Sequence, residues 1–211
     1  MKKLLQKTFV PLCVVFILCS CSSMPGGGGK QVHGPLQPLS CIAVLPATTS
    51  VDKDETIVYQ EARALEKGAA YATSVMAVEL AGNPKVRVLN SAQVSTIIPE
   101  VSGGISGTIA VLGEKVNCDG VLLTTVRRFK QREGTELAVD SPASVNFRMS
   151  LRLASSGTVL WSADFRETQE SFLANIFSYD KAQKRGFKWI SVEQLMEQGI
   201  KERLAECPYL K

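Results

Sequence analysis

The sequence predicts an α/β fold: a mixed sheet of about five strands with helices packed on it. Three observations predict it. Cys41-Ile42-Ala43-Val44-Leu45-Pro46 is a continuous apolar run stopped by proline, the pattern of a strand buried on both faces. Residues 57–81 carry apolar side chains at threes and fours, the period of a helix against a sheet. Residues 145–153 alternate apolar and polar, turn at Ser155-Ser156-Gly157, and return over 158–167.

Taken in order, the elements give β-α-β-α-α-β, then an antiparallel meander and a last helix. After the first strand, 47–56 reads as a polar loop. Its Asp52, Asp54 and Glu55 offer oxygen ligands to a hard cation, but the glycine and terminal glutamate of an EF-hand loop do not follow, so a solvated loop is expected. The helix over 57–81 presents Leu65, Ala69, Ala72, Met76 and Leu80 as one stripe and stops at Gly82-Asn83-Pro84. Lys85-Val86-Arg87-Val88-Leu89 is a second strand. Asn90 or Ser91 caps a short helix bearing Val94, Ile97 and Ile98, which Pro99 ends. A third helix over 105–116 has Ile109, Leu112 and Val116 as core positions. Asp119-Gly120 opens a strand over 121–130. In the meander, Val145, Phe147, Met149 and two leucines face in, and Val159, Trp161, Ala163 and Phe165 share a face of the returning strand. Ser191-x-x-Gln194 is a capping-box pattern for a helix with Val192, Leu195, Met196, Gly199, Ile200 and Leu204 on one stripe. No internal repeat is present.

The chain divides at residues 20, 40 and 167: a signal over 1–20, a Gly- and Pro-rich tether over 21–40, an α/β core over 41–167, and a C-terminal aromatic element with its helix over 168–211. Lys2, Lys3 and Lys7 precede an apolar run over 9–18, about half of the ~20 residues a spanning helix needs. Leu18-Cys19-Ser20-Cys21 closes the run. It resembles the lipobox of bacterial lipoproteins, with Cys19 slightly unusual at the second position. The resemblance implies cleavage between Ser20 and Cys21, a diacylglyceryl group on the Cys21 sulfur, and a third acyl chain on its amine. One chain holds a protein marginally, whereas three anchor it firmly. Ser22, where aspartate would favour retention at the inner membrane, implies sorting to the outer membrane, facing the periplasm. The Gly26–Gly29 run is not a phosphate loop, because no strand precedes it and no GK[ST] follows.

The formal charge of +4 belongs mostly to the signal. Without Lys2, Lys3 and Lys7, 21 basic residues face 20 acidic ones, which leaves no electrostatic footprint for nucleic acid. Of six cysteines, Cys13 and Cys19 leave with the signal and Cys21 is lipidated. Cys41, Cys118 and Cys207 remain, so at most one internal bridge forms unless all three are buried thiols. Cys41 and Cys118 each precede a strand, and in a β-α-β-α-β sheet wound outward those two strands are parallel neighbours. A Cys41–Cys118 bridge is therefore geometrically allowed if their Cα atoms fall within about 7 Å.

The strands Ile42-Ala43-Val44-Leu45-Pro46 and Val86-Arg87-Val88-Leu89, the segment Leu112-Gly113-x₅-Asp119-Gly120-Val121-Leu122 and the hairpin Leu151-x-Leu153-x₃-Gly157-x-Val159-Leu160-Trp161 together carry a resemblance. They are similar to the α/β domain shared by the TolB amino-terminal domain, the curli secretion channel lipoprotein and the lipoprotein activators of penicillin-binding proteins. The likeness covers roughly 41–167. It implies a periplasmic domain on an outer-membrane anchor that binds or assembles other envelope proteins. The short tether departs from the activators, which often have a long disordered one.

Chemistry is constrained by one histidine, His33, which lies in the tether. That excludes a Ser-His-Asp or Cys-His pair inside the domain, and a His-based zinc site with it. No cofactor and no metal site is expected. Two carboxylates could do glycosidase-type work, with Asp119, Asp140 and Asp164 as candidates, but these fall at strand ends or on an exposed face. The residues favour a binding or assembly module over a carboxylate-dependent envelope hydrolase. A third reading, an oligomeric secretion channel, needs two more strands of about 9–11 residues each. The loop over 130–144 is too short for them, and Lys181, Lys184 and Arg185 interrupt 168–190. A homo-oligomer and an envelope protein partner both remain open. Phe172, Phe177, Tyr179, Phe187 and Trp189 crowd the segment after the core, around a polar stretch over 180–186 that pulls neighbours to the surface. Aromatics beside basic residues make interface hot spots, so 170–190 is the expected contact element unless these side chains pack inward.

Overall fold

The computed structural model describes residues 38–50, 58–98, 104–135, 139–169, 183 and 189–211. Eight strands and four helices follow one another along these residues. They are β1 (Ile42–Val44), β2 (Thr48–Thr49), α1 (Tyr59–Glu79), β3 (Val86–Val88), α2 (Ser91–Ile97), α3 (Gly104–Val116), β4 (Gly120–Lys130), β5 (Glu133–Gly134), β6 (Val139–Ser141), β7 (Ser144–Leu153), β8 (Val159–Thr168) and α4 (Val192–Glu206). The main sheet runs β3-β1-β4-β7-β8, with β2 also paired to β4. β3, β1 and β4 are parallel, and β7 and β8 continue antiparallel. The mixed sheet, the helices on it and the C-terminal helix match the fold class the sequence predicts.

β1 is buried on both faces because it is the middle strand of the parallel part. Ile42 and Val44 point into the larger core, and Ala43 into a second, smaller one. The larger core lies under α1 and α4. Leu65, Ala69, Ala72 and Met76 of α1 meet Leu122, Val126, Phe147 and Met149 of the sheet, and Leu195, Met196 and Ile200 of α4 complete it. The Phe147 and Phe165 rings stack across β7 and β8 at 5.2 Å between centroids. The smaller core lies on the opposite face, where Ile109, Leu112 and Val116 of α3 cover Ala43 and Val121.

Two glycines set the helix distances. A Cβ on Gly199 of α4 would stand 2.7 Å from the Phe165 ring, and one on Gly68 of α1 would stand 2.6 Å from the Phe129 ring. Each is a flat seat for an aromatic side chain, so the helix axis approaches the sheet closely. Asn90 caps α2 and Ser191 caps α4, each in a reciprocal capping box with the glutamine three residues on.

Three details differ from the sequence expectation. Thr48-Thr49, expected in a loop, resumes pairing alongside β4, with Thr48 opposite Thr125. Pro46 cannot donate, and the Ala47 N–H turns aside to Thr73 Oγ1 at 2.9 Å, so the rail beside β4 breaks and starts again. Val159, expected to face in with Trp161, is 43% exposed. Arg152 pairs with Val159 but Leu151 with Trp161, so Leu160 is an extra residue that releases Val159 from the core face. In β4, Val126 pairs with Phe147 while Arg128 pairs with Asn146, so Arg127 is likewise extra. That bulge keeps both Val126 and Phe129 inward although they are three positions apart. It also sets two arginines side by side on the other face.

Among the described residues no helix is long and apolar enough to cross a membrane.

Candidate functional site

Two places on the domain carry more than packing. They lie at opposite ends of the sheet.

The first is the junction where the chain enters β1. Cys41 and Cys118 are joined as a disulfide with Cα atoms 4.5 Å apart. The register explains the proximity. Ile42 sits opposite Gly120 in the parallel β1–β4 pair, so the residues just before the two strands share one sheet end. Asn117 takes a left-handed backbone (φ 52°), which asparagine tolerates, and turns the chain from α3 towards β4. Asp119 then binds the entering segment. Its carboxylate accepts from the Ser40 hydroxyl and from the Ser40 N–H at 2.8 Å. The backbone N–H groups of Asp119 and Gly120 both donate to the Cys41 carbonyl at 3.0 Å, and the Ala154 N–H donates to the Asp119 carbonyl at 2.7 Å. The Ser40 hydroxyl, followed by the Ser40 N–H, holds the Asp119 carboxyl below the usual carboxylate range. Beside this junction is an open cleft of about 780 Å³, lined among others by Pro38, Ser40, Glu114, Asn117 and Ser155.

The second place is the outer face of β4, β7 and β8. α2 and α3 cover the sheet opposite β1 and the start of β4 and go no further. Beyond Leu123 the same face turns polar. One cross-strand row is Thr125–Arg148–Asp164 and the next is Arg128–Asn146–Arg166. The Arg148 guanidinium grips Asp164 with two parallel bonds, Nε to Oδ1 and Nη2 to Oδ2, both 2.8 Å. Both partners are about half exposed, and Asp164 raises the Arg148 pKa further through these bonds. Arg127, Arg128 and Arg166 are exposed. None of the three forms an ion pair among the described residues. Arg128 lies eight positions up β4 from Gly120, about 26 Å at ~3.3 Å per residue.

The residues singled out from sequence fall as follows. Asp164 belongs to the arginine face, Asp119 to the junction, and Asp140 to β6, where it is exposed. They are not brought together. Cys207 is a free, buried thiol, and burial pushes its pKa up. Trp189 is half-buried just ahead of the Ser191 cap. Next to it, the Ile190 N–H donates to Gln169 Oε1 at 2.9 Å, so the chain leaves the end of β8 and returns beside it. Ser20, Cys21, Phe172, Phe177, Tyr179 and Phe187 lie outside the described residues. The arginine face was missed in the sequence. The signal was present: Val126-Arg127-Arg128-Phe129 breaks the two-residue period with apolar residues on either side, which is how a bulge reads.

No family model matches the chain, and no curated protein matches it. Among solved structures it is similar to the PelC dodecamer from Paraburkholderia phytofirmans, at 15% identity over 82% of this chain and 90% of that one, with a TM-score of 0.44. It is similar to the LpoB C-terminal domain from Escherichia coli, at 17% identity over 64% of this chain and 88% of that one, TM-score 0.40. It is also similar to the lipoprotein GNA1162 from Neisseria meningitidis, at 15% identity over 70% of this chain and 96% of that one, TM-score 0.41.

Proposed function

We propose that this protein is a lipid-anchored, periplasm-facing binding module of the bacterial cell envelope that acts through protein–protein contact rather than catalysis. The observation that carries the reading is the half-covered sheet. Among the described residues, α2 and α3 seal one half of its outer face and no helix covers the other half, which is studded with arginines. An enzyme of the carboxylate type would need a carboxyl held protonated near neutral pH. In the cleft, Asp119 is pushed the opposite way.

The anchor half of the proposal rests on Leu18-Cys19-Ser20-Cys21. Wild-type protein is expected to label with palmitate and to fractionate with the outer membrane. Cys21→Ser should leave an uncleaved or soluble precursor. A mutant that still labels and sediments like wild type contradicts the anchor. Phe172, Phe177, Tyr179 and Phe187, with Trp189, belong to the same proposal as a second contact element. Phe177→Ala and Phe187→Ala should remove crosslinks in cells with the melting temperature unchanged. A fall of several degrees instead, the scale of a lost core aromatic, would make them packing residues.

A further inference from the structure

We infer that the open half of the sheet docks an acidic protein surface, with Arg127, Arg128 and Arg166 taking clustered carboxylates and Arg148 held as a fixed post between them. This rests on the binding-module reading and names the chemistry of its partner.

Charge comes first. Asp164 is the acid of the two rows, and both of its oxygens are already committed to Arg148. The remaining three guanidinium groups have no carboxylate among the described residues to turn to. Arg128 and Arg166 flank Asn146 in a row spanning two interstrand spacings, about 10 Å at ~4.8 Å each. Covering this row with a neutral surface would strip water from cations and leave them unpaired, which is strongly unfavourable. A partner must therefore bring its own anions.

Side-chain type decides which anions. The cations of these rows are arginines. Arginine pairs with carboxylates through two parallel bonds and is enriched in protein interfaces, where lysine is depleted. The neighbours are Thr125, Asn146, Ser150 and Ser162, small polar residues on the same sheet face. Bases would need aromatic side chains to stack on, and these rows present none. A membrane headgroup is the rival that the vesicle measurement below reads. The rows lie about 26 Å along β4 from the end at which the anchored segment enters.

The bulge supplies the density of charge. In a regular strand Arg127 and Arg128 would point to opposite faces, and one of them would enter the core. The extra residue sends both outward.

The test uses the lipidated full chain in detergent micelles and a ten-residue glutamate peptide as probe. Arg128→Glu/Arg166→Glu should weaken peptide binding at least tenfold at low salt. Lys85→Glu/Lys115→Glu, an equal charge change on exposed residues elsewhere, should weaken it less than twofold. Equal losses in the two variants would overturn the proposal, since any basic surface would then serve. Arginine-dependent excess binding to phosphatidylglycerol over phosphatidylcholine vesicles would overturn it in favour of a lipid surface. If the reversed variant folds poorly by circular dichroism, Arg128→Gln/Arg166→Gln keeps the same tenfold expectation. Palmitate labelling is read in the same preparations. Labelled protein with arginine-independent peptide binding sinks the acidic partner and leaves the anchored module standing.

Discussion

Strand β4 shows the same sheet face in two conditions. Its first stretch places Val121 and Leu123 under α3, in an apolar core with Ile109 and Leu112. Its last stretch places Thr125, Arg127 and Arg128 on that face, with none of the described helices over them. On the other face the strand stays buried, with Leu122, Val126 and Phe129 in the larger core and Thr124 between them donating its hydroxyl to Met76 Sδ. So the inner face is buried along its length, while the outer one changes where the cover ends. The open half is therefore not an unfinished core. A core face would expose apolar residues once its helix is removed, whereas this one has a bonded Arg148–Asp164 pair and a row of cations.

The comparison can be broken from the packing side first. Phe147→Ala, at a fully buried ring stacked on Phe165, is expected to cost about 3–5 kcal/mol, read by denaturant or thermal melting. Cys41→Ala/Cys118→Ala should cost less, about 2–4 kcal/mol, and reductant should reproduce it in the wild type alone. Gly199→Ala pushes a methyl group into the Phe165 ring and should cost about 1–3 kcal/mol. On the open face the expectation reverses. Arg148→Ala should change stability by under about 1 kcal/mol, because its pair with Asp164 is half exposed. A loss as large as that of Phe147→Ala would mean that the open half is structural after all.

The junction gives the smallest effect, and its sign is fixed. The Asp119 pKa is lowered in the folded state by the Ser40 hydroxyl and N–H. Its stabilisation is therefore present above the unfolded carboxylate pKa, near 3.9, and is lost as pH falls through the lower folded value. Asp119→Asn should flatten that acid limb by lowering stability in the neutral range, where the ionised carboxylate contributes, and leave the acid end nearly unchanged. An acid limb identical to wild type would remove Asp119 from the account.

Much of the architecture was legible in the sequence because burial is written in periods. The stripe of Leu65, Ala69, Ala72 and Met76, the doubly buried Ile42-Ala43-Val44 and the alternation from Val145 to Leu151 each follow from one repeated spacing. What was not legible depends on broken periods and on cover. Thr48-Thr49 pairs because β4 runs on past Pro46, a fact held in β4 and not in the threonines. Leu160 and Arg127 are bulge residues, and each shifts its neighbours by one face. The broken period at Arg127-Arg128 marks the bulge, but the arginine face also needs knowledge of where α3 stops covering the sheet, which that local pattern does not contain. The aromatic residues after the core, by contrast, are visible from composition without any topology.

The half of the sheet that no described helix covers is proposed as the place where this module meets its partner. Photo-crosslinking in cells tests it most directly, with a probe at Ser162 on the open face and another at exposed Glu66 on α1. Protein crosslinks are expected from Ser162 and should disappear in Arg128→Glu/Arg166→Glu, with acidic peptides at the crosslinked sites and little from Glu66. Crosslinks from Glu66 alone, or Ser162 crosslinks that survive the charge reversal, would contradict it.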